Sequence, residues 1–406
     1  MKRPPFEVAD IIRTIGKSFI ERNRSRLTGL HLKVLSAIER CRTAALGGHR
    51  DRCTRCGYET TSYSFNSCRN RHCGKCQTNA RDKWLAARQT ELLPVPYVHV
   101  VFTLPHQLAK LVYHNQRILY DLLFQTSAAT LMEVAADSKH LGAGIGLLSV
   151  LHTWGQTLQF HPHVHCVIPS GGLSADHRRW VRPPYPFFLP VLVLGAVFRG
   201  KFIAGLKRAF KAGQLCLPGE LEGLKQDKIF RAFVRSLHRQ RWVVYCKPPF
   251  GGPQHVLHYL ARYTHRVAIS NHRLVNFADG KVTFRWKDYA HGNKRRLMTL
   301  AAEEFLRRFL LHVLPHGFVR IRFFGFLANR RRAALLPLCR QLLGAQPQQP
   351  TQPQQPTAVS APVAASSTGP LWRCPKCGGP MAVVERLTPR QLQWELARSS
   401  AAQDSS

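Results

Sequence analysis

Residues 41–76 hold six of the chain's twelve cysteines, interleaved with histidine, arginine and glycine and short of large apolar side chains. A stretch so poor in apolar residues cannot build its own core, so it folds only if a metal cross-links it. Cys53-x-x-Cys56 and Cys73-x-x-Cys76 form two chelating knuckles, and four thiolates in a tetrahedron are what zinc prefers. Cys41, His49, Cys68 and His72 have the number and types of ligand for a second site. The other reading is that Cys68 and His72 pack or hydrogen-bond around a single zinc, with Cys41 belonging to the preceding helix. Arg50, Arg52, Arg55, Arg69, Arg71, Lys75 and Arg81 crowd the same segment, as either phosphate contacts or a solvated basic face. A later pair, Cys374-x-x-Cys377, is half a site that Cys339 or a partner chain could complete.

Charge narrows the partners. Fifty-nine Lys and Arg against 22 Asp and Glu leave +37 on 406 residues, which points to a polyanion. A 45% hydrophobic content is ordinary for a chain that buries a core, so a disordered or fibrous protein is excluded. No 18-residue apolar run spans a bilayer: Phe187 to Phe198 is interrupted by Pro190 and is expected as a buried helix. The opening MKRPPFEVADIIRT has no apolar signal region, so a cytoplasmic protein at the nucleoid is expected. In that reducing compartment cysteines serve as ligands rather than disulfides.

Five segments are expected: a basic helical lead-in (1–40), a zinc-binding DNA-contact domain (41–88), a catalytic domain (89–342), a Pro/Gln-rich linker (343–370), and a knuckle with a tail (371–406). Within the large segment, β runs are expected at Tyr97 to Leu104, Leu158 to Ile168 and Arg241 to Tyr245. Arg273 to Phe277, Asp279-Gly280 and Val282 to Trp286 make a hairpin-like pair. Helices are expected from Gln107 towards Ala136 and over Ala301 to Leu314, with strand-like sequence at Phe318 to Phe326. Strands and helices mix without a βαβ period, so the class is α+β with a mainly antiparallel sheet.

Two constellations carry chemistry. In the second β run, Leu158, Phe160, Val164, Cys166 and Ile168 face one way, while Gln159, His161, His163 and His165 face the other. Three imidazoles at roughly 6.6 Å intervals opposite an apolar face favour a metal or catalytic site. The second lies in Gln254 to Arg266, entered through Gly251-Gly252-Pro253, a plausible helix start. Tyr259 and Tyr263 are four apart and share one helical face, flanked by His255 and Arg262, with Arg266 one turn on. A basic chain with a histidine metal site and paired phenols has the parts to nick and rejoin DNA through a phosphotyrosine bond.

These motifs, in this order, resemble the HUH-type rolling-circle transposases of the insertion sequence 91 family, which use two tyrosines in one active site. The likeness rests on LGGHRDRCTRCGY and NSCRNRHCGKCQ, HPHVHCVIPSGG, HYLARYTHRVAISNHRL, FRWKDY and EFLRRFLLHVLPHGFVRIRFFGFLANRRR, from about Cys41 to Arg332. It implies a central antiparallel sheet flanked by helices, preceded by a small zinc-stabilised domain. It further implies His163 and His165 as ligands of a catalytic magnesium or manganese ion, and Tyr259 and Tyr263 as nucleophiles. The third ligand stays open among His161, Asn271 and His272. The expected partner is single-stranded DNA at element ends and target, held by Arg262, Arg266, Arg295, Arg296, Arg330, Arg331 and Arg332. Two rivals remain, a rolling-circle replication initiator and a zinc-dependent DNA-binding regulator whose nuclease has decayed.

Overall fold

A computed structural model describes residues 6–59, 64–184, 188–250, 268–289, 291–344 and 373–401. Tyr259, Tyr263, Arg262 and Arg266 lie outside the described residues.

The chain opens with two helices, α1 (Val8–Asn23) and α2 (Gly29–Glu39). Thr28 caps α2, accepting from the His31 N–H at 3.3 Å, so a donor at the helix start is not left orphaned. Then come β1 (Gly48–Cys53), β2 (Ser64–Phe65) and α3 (Cys76–Gln89). Next are β3 (Tyr97–Thr103), α4 (Ala109–His114), α5 (Gln116–Ala136), β4 (Gly146–Trp154) and β5 (Phe160–Pro169). A small pair, β6 (Gly172–Leu173) and β7 (Trp180–Val181), precedes α6 (Val191–Lys211), α7 (Asp227–Arg239) and β8 (Val244–Phe250). The rest comprises β9 (Leu274–Ala278), β10 (Lys281–Asp288), β11 (Lys294–Ala301), α8 (Ala302–Leu310), β12 (Ile321–Gly325), α9 (Asn329–Leu342), β13 (Met381–Leu387) and α10 (Pro389–Ala401).

The central sheet has the order β12-β4-β5-β3-β8, with every neighbouring pair antiparallel. This is the α+β architecture the sequence predicts. Alternation divides its two faces. Val98, Val100 and Phe102 of β3 and Val164, Cys166 and Ile168 of β5 join the largest core with Leu123 and Phe124 of α5 and Phe198 and Phe202 of α6. On the opposite face, Tyr97, Leu148, Val150 and Val167 pack against Leu336 and Cys339 of α9. That cover spans only part of the face, and the remainder carries histidines.

A separate core joins Ile11, Ile12 and Phe19 of α1 and Val34 and Leu35 of α2 to Val282 and Phe284 of β10 and Phe305, Leu306 and Phe309 of α8. The three-stranded sheet β11-β10-β9 supports it. Its β9-β10 turn is the expected Asp279-Gly280, with both residues at positive φ (51° and 66°), the left-handed pair a two-residue hairpin needs.

Several expectations shift. The helix foreseen from Phe187 begins at Val191 after Pro190, and its first three residues are exposed. Strand β8 starts at Val244 rather than Arg241. Leu158 belongs to a turn and packs into the second core instead of opening β5. Strands β4, β11 and β13 were not foreseen. Among the described residues no helix is long and apolar enough to cross a membrane.

Candidate active site and metal centres

The histidine face is built by a hairpin. Strands β4 and β5 pair so that His152 stands opposite His163, with a register shift between His152 and Trp154. Opposed residues of an antiparallel pair point to the same side, so both rings emerge beside His165, two residues along β5. One ring nitrogen from each of His152, His163 and His165 lies within 4.8 Å of the others. His152 and His165 are buried and His163 partly so.

The expected third histidine, His161, is not in this trio. Its ring centroid is 5.3 Å from that of His163, but it stands four residues, roughly 13 Å along the strand, from His165, whereas His152, opposite His163, also brings its ring centroid to 4.3 Å from that of His165. The neighbour across the sheet therefore takes the place of the neighbour along the chain. Asn271 and His272 are also elsewhere: the Asn271 amide oxygen accepts from the Val8 N–H at 3.4 Å, and His272 is exposed.

Surrounding groups orient the trio. His163 Nδ1 donates to the His161 carbonyl at 2.6 Å, which leaves Nε2 as the nitrogen that could hold a metal. His165 Nδ1 and His99 Nε2 of β3 share a hydrogen bond of 2.8 Å, and their rings stack with centroids 5.0 Å apart. Burial, with a contribution from His161, pushes His163 down to about 4, so its imidazole is neutral at pH 7, the form that can hold a metal.

The turn that sets this hairpin is pinned from the second core. Leu158 takes φ +62°, a left-handed conformation that costs a branched residue about 1–2 kcal/mol. Its side chain is fully buried, its carbonyl accepts from His312 Nε2 at 3.1 Å, and the Thr157 carbonyl accepts from Arg308 at 3.0 Å. His312 also accepts from the Thr153 hydroxyl at 3.2 Å, and burial holds it down to about 4. The unfolded chain therefore takes up a proton near pH 6.5 that the folded chain refuses until about pH 4. Stability present above 6.5 is lost as pH falls through that window, by up to about 3 kcal/mol for this group. Urea melts of wild type and His312→Gln at pH 7 and pH 4.5 check this: the variant should lose less on acidification, and equal losses would refute the assignment.

The cysteines form two quartets that differ from the expected grouping. Cys41, Cys68, Cys73 and Cys76 make one, with Sγ separations of 3.4 Å (Cys41–Cys76), 3.5 Å (Cys68–Cys76) and 3.6 Å (Cys41–Cys73). Cys53 and Cys56 do not meet Cys73 and Cys76; they come together with Cys374 and Cys377. A tetrahedron with metal–sulfur bonds of about 2.3 Å has edges of roughly 3.8 Å, so both quartets fit a zinc ion without rearrangement. Cys339, the other candidate to complete the C-terminal pair, is buried in the core under α9.

His49 and His72 belong to neither quartet. His49 Nδ1 bonds the Asn66 side chain at 3.2 Å. His72 bonds Asn70 at 3.1 Å and accepts from the Leu314 N–H at 3.3 Å, so its nitrogens serve the fold. Eight thiols in two tetrahedra leave these imidazoles nothing to ligate.

The basic residues sort by partner. Arg295 and Arg296 are exposed on β11, with Arg296 3.0 Å from Asp288. Arg330 and Arg331 are exposed in the first turn of α9. Arg332 is half-buried instead, paired with Glu91 at 3.0 Å and lying over the Phe323 ring, and so holds the fold. Near the knuckles, Arg50 pairs with Glu385 and Lys75 with Glu7, both at 2.5 Å, while Arg55 and Arg69 are exposed.

Two family models match the chain. One, described as "Transposase zinc-binding domain" of the IS91 type, covers residues 11–104; the other, described as "Putative transposase", covers residues 146–334. A protein of Sinorhizobium fredii named "Putative transposase y4qJ" is 49% identical over 386 residues, spanning 95% of this chain and 96% of the relative. The chain belongs to the insertion sequence 91 family of transposases. A "Transposase for insertion sequence element IS801" from Pseudomonas savastanoi pv. phaseolicola is 28% identical over 334 residues, 80% of this chain and 77% of the relative. No solved structure matches the transposase. Its partner is accordingly DNA, and its N-terminal cysteines lie within the zinc-binding part.

Proposed function

We propose that this transposase cuts one strand of DNA at the ends of its element, keeps the 5′ phosphate as a tyrosine ester, and transfers it to a target by a rolling-circle route. The observation that carries this reading is the trio His152, His163 and His165, three imidazoles converging on one face of the central sheet. Neutral imidazoles fit a divalent ion, and manganese suits them better than magnesium because nitrogen is a softer donor than oxygen. Such an ion supplies positive charge to the scissile phosphate. The histidines fix where that phosphate sits, and His99 and the His161 carbonyl keep the rings from turning.

In the step itself, a phenolic oxygen of Tyr259 or Tyr263 attacks phosphorus and gives up its proton. The new bond joins the tyrosine oxygen to the 5′ phosphate; the broken bond releases a 3′ oxygen that takes a proton and leaves as a hydroxyl. The second tyrosine allows attack on another strand while the first end is held. Arg262 and Arg266 are proposed phosphate clamps beside the tyrosines. Arg330 and Arg331 occupy a helix start, where the macrodipole disfavours cations, a placement a bound phosphate would offset. Arg295 and Arg296 extend the basic surface. Zinc is structural in this reading.

Labelled single strands from both flanks of the gene, incubated with protein and manganese or magnesium and run on a denaturing gel, test the proposal. A covalent adduct in wild type, absent from Tyr259→Phe/Tyr263→Phe, is expected. Cleavage at a plasmid origin rather than at element ends would favour a replication initiator; tight binding without an adduct under either metal would favour a regulator with a decayed nuclease.

A further inference from the structure

The quartet of Cys53, Cys56, Cys374 and Cys377 draws its halves from opposite ends of the chain, with Cys56 and Cys374 separated by 318 residues. The two halves are built alike. Each reads Cys-x-x-Cys-Gly, and in each the glycine N–H donates to the carbonyl of the first cysteine, Gly57 to Cys53 at 3.1 Å and Gly378 to Cys374 at 2.9 Å. Both glycines take a positive φ, 70° and 68°, which closes the same turn twice. Backbone N–H groups also point at sulfur: those of Arg55 and Cys56 at Cys53 Sγ (3.4 and 3.5 Å), and that of Gly379 at Cys377 Sγ (3.4 Å). Amides directed at sulfur favour the thiolate, the form that binds metal.

The two knuckles face each other, with Sγ separations of 3.5 Å for Cys53–Cys377 and 3.7 Å for Cys56–Cys374. These lie close to the roughly 3.8 Å edge of a zinc–thiolate tetrahedron and far from the about 2.05 Å of a disulfide. Behind them β1 and β13 pair antiparallel from Gly48↔Leu387 to Cys53↔Met381, and the Thr54 N–H donates to the Pro380 carbonyl at 3.0 Å. The largely exposed Arg50–Glu385 ion pair and the two-residue strand β2 add support here. The four cysteines, Leu387 and Leu392 all lie outside the three apolar cores. A three-stranded sheet this short, with two buried leucines and a largely exposed ion pair, holds a tail only weakly without the metal.

We propose that Cys53, Cys56, Cys374 and Cys377 bind one zinc ion that clasps the C-terminal segment onto the N-terminal cysteine region, as a zinc ribbon assembled from both ends of the chain. The transposase then carries two zinc ions, one in each quartet, and the 345–372 stretch is anchored at both of its ends.

The test uses the full chain with a protease recognition sequence placed within 345–372. Metal analysis of protein purified under reducing conditions should give two zinc per chain, falling to one in Cys374→Ser/Cys377→Ser and, independently, in Cys53→Ser/Cys56→Ser. After cleavage, the C-terminal fragment of the wild type should co-elute with the body on gel filtration, and the fragment of the Cys374→Ser/Cys377→Ser variant should separate. Because that substitution lies in the tail, the body's own melting should stay within a few degrees of wild type. A wild type with one zinc that the tail variant still holds would overturn the proposal. So would a tail that leaves the zinc-loaded wild type, a tail that stays equally bound in the variant, or four fewer titratable thiols than expected because the knuckles have joined through two disulfides.

Discussion

Alanine at His152 should silence strand cleavage as completely as alanine at His163, each lowering adduct formation on the order of 10²–10³-fold or more, while His161→Ala keeps most of the activity. Removing one imidazole of three leaves a site with too few donors to fix the ion or the phosphate. His161 reaches the site through its carbonyl, which accepts from His163 Nδ1 and which alanine retains. Single-turnover adduct formation, with circular dichroism to confirm that each variant is folded, separates the cases. If His161→Ala proved inactive while His152→Ala cleaved normally, the trio would be misassigned.

Serine in place of Cys73 should do the largest damage to stability. Cys73 and Cys41 are members of the core shared by α1, α2, β10 and α8, so their quartet lies under helices that pin the Leu158 turn and, through it, the histidine hairpin. A structural zinc contributes on the order of 10 kcal/mol of apparent binding free energy, comparable to the whole stability of a typical domain, about 5–15 kcal/mol. Hydrogen exchange should therefore show loss of protection across α1, α2 and α8 in Cys73→Ser, together with poor soluble expression. Cys377→Ser should leave that protection in place. Full protection in Cys73→Ser would mean that apolar packing alone holds this layer.

The elements most readily foreseen from sequence were those with a clear period or a clear stop. Strand β5 showed its alternation, and β3 ended at Thr103, just short of the expected stop at Pro105. Strand β4 escaped notice because Gly146 to Thr153 is buried on both faces and is apolar at most positions, so no alternation marked it. With β4 went His152. A signal existed in the turn at Gly155 to Gln159, since a hairpin closing there brings His152 opposite His163. The cysteine quartets illustrate a different limit. Spacing identifies a knuckle but not its mate, because thiols meet by tertiary folding, and the nearest pair along the chain is not the nearest in space. The shared Cys-x-x-Cys-Gly pattern of the first and last knuckles was the clue in sequence that these two belong together.

The pairing of β1 with β13 also bears on how the protein is made. The first strand and its knuckle leave the ribosome more than three hundred residues before β13, an interval of roughly 15–60 s at about 5–20 residues per second. During that time the β13 side of β1 is unpaired, and Cys53 and Cys56 lack the two thiols that stand beside them in the folded chain. A copy that stops before β13 leaves that edge of β1 unpaired and those two thiols without their mates.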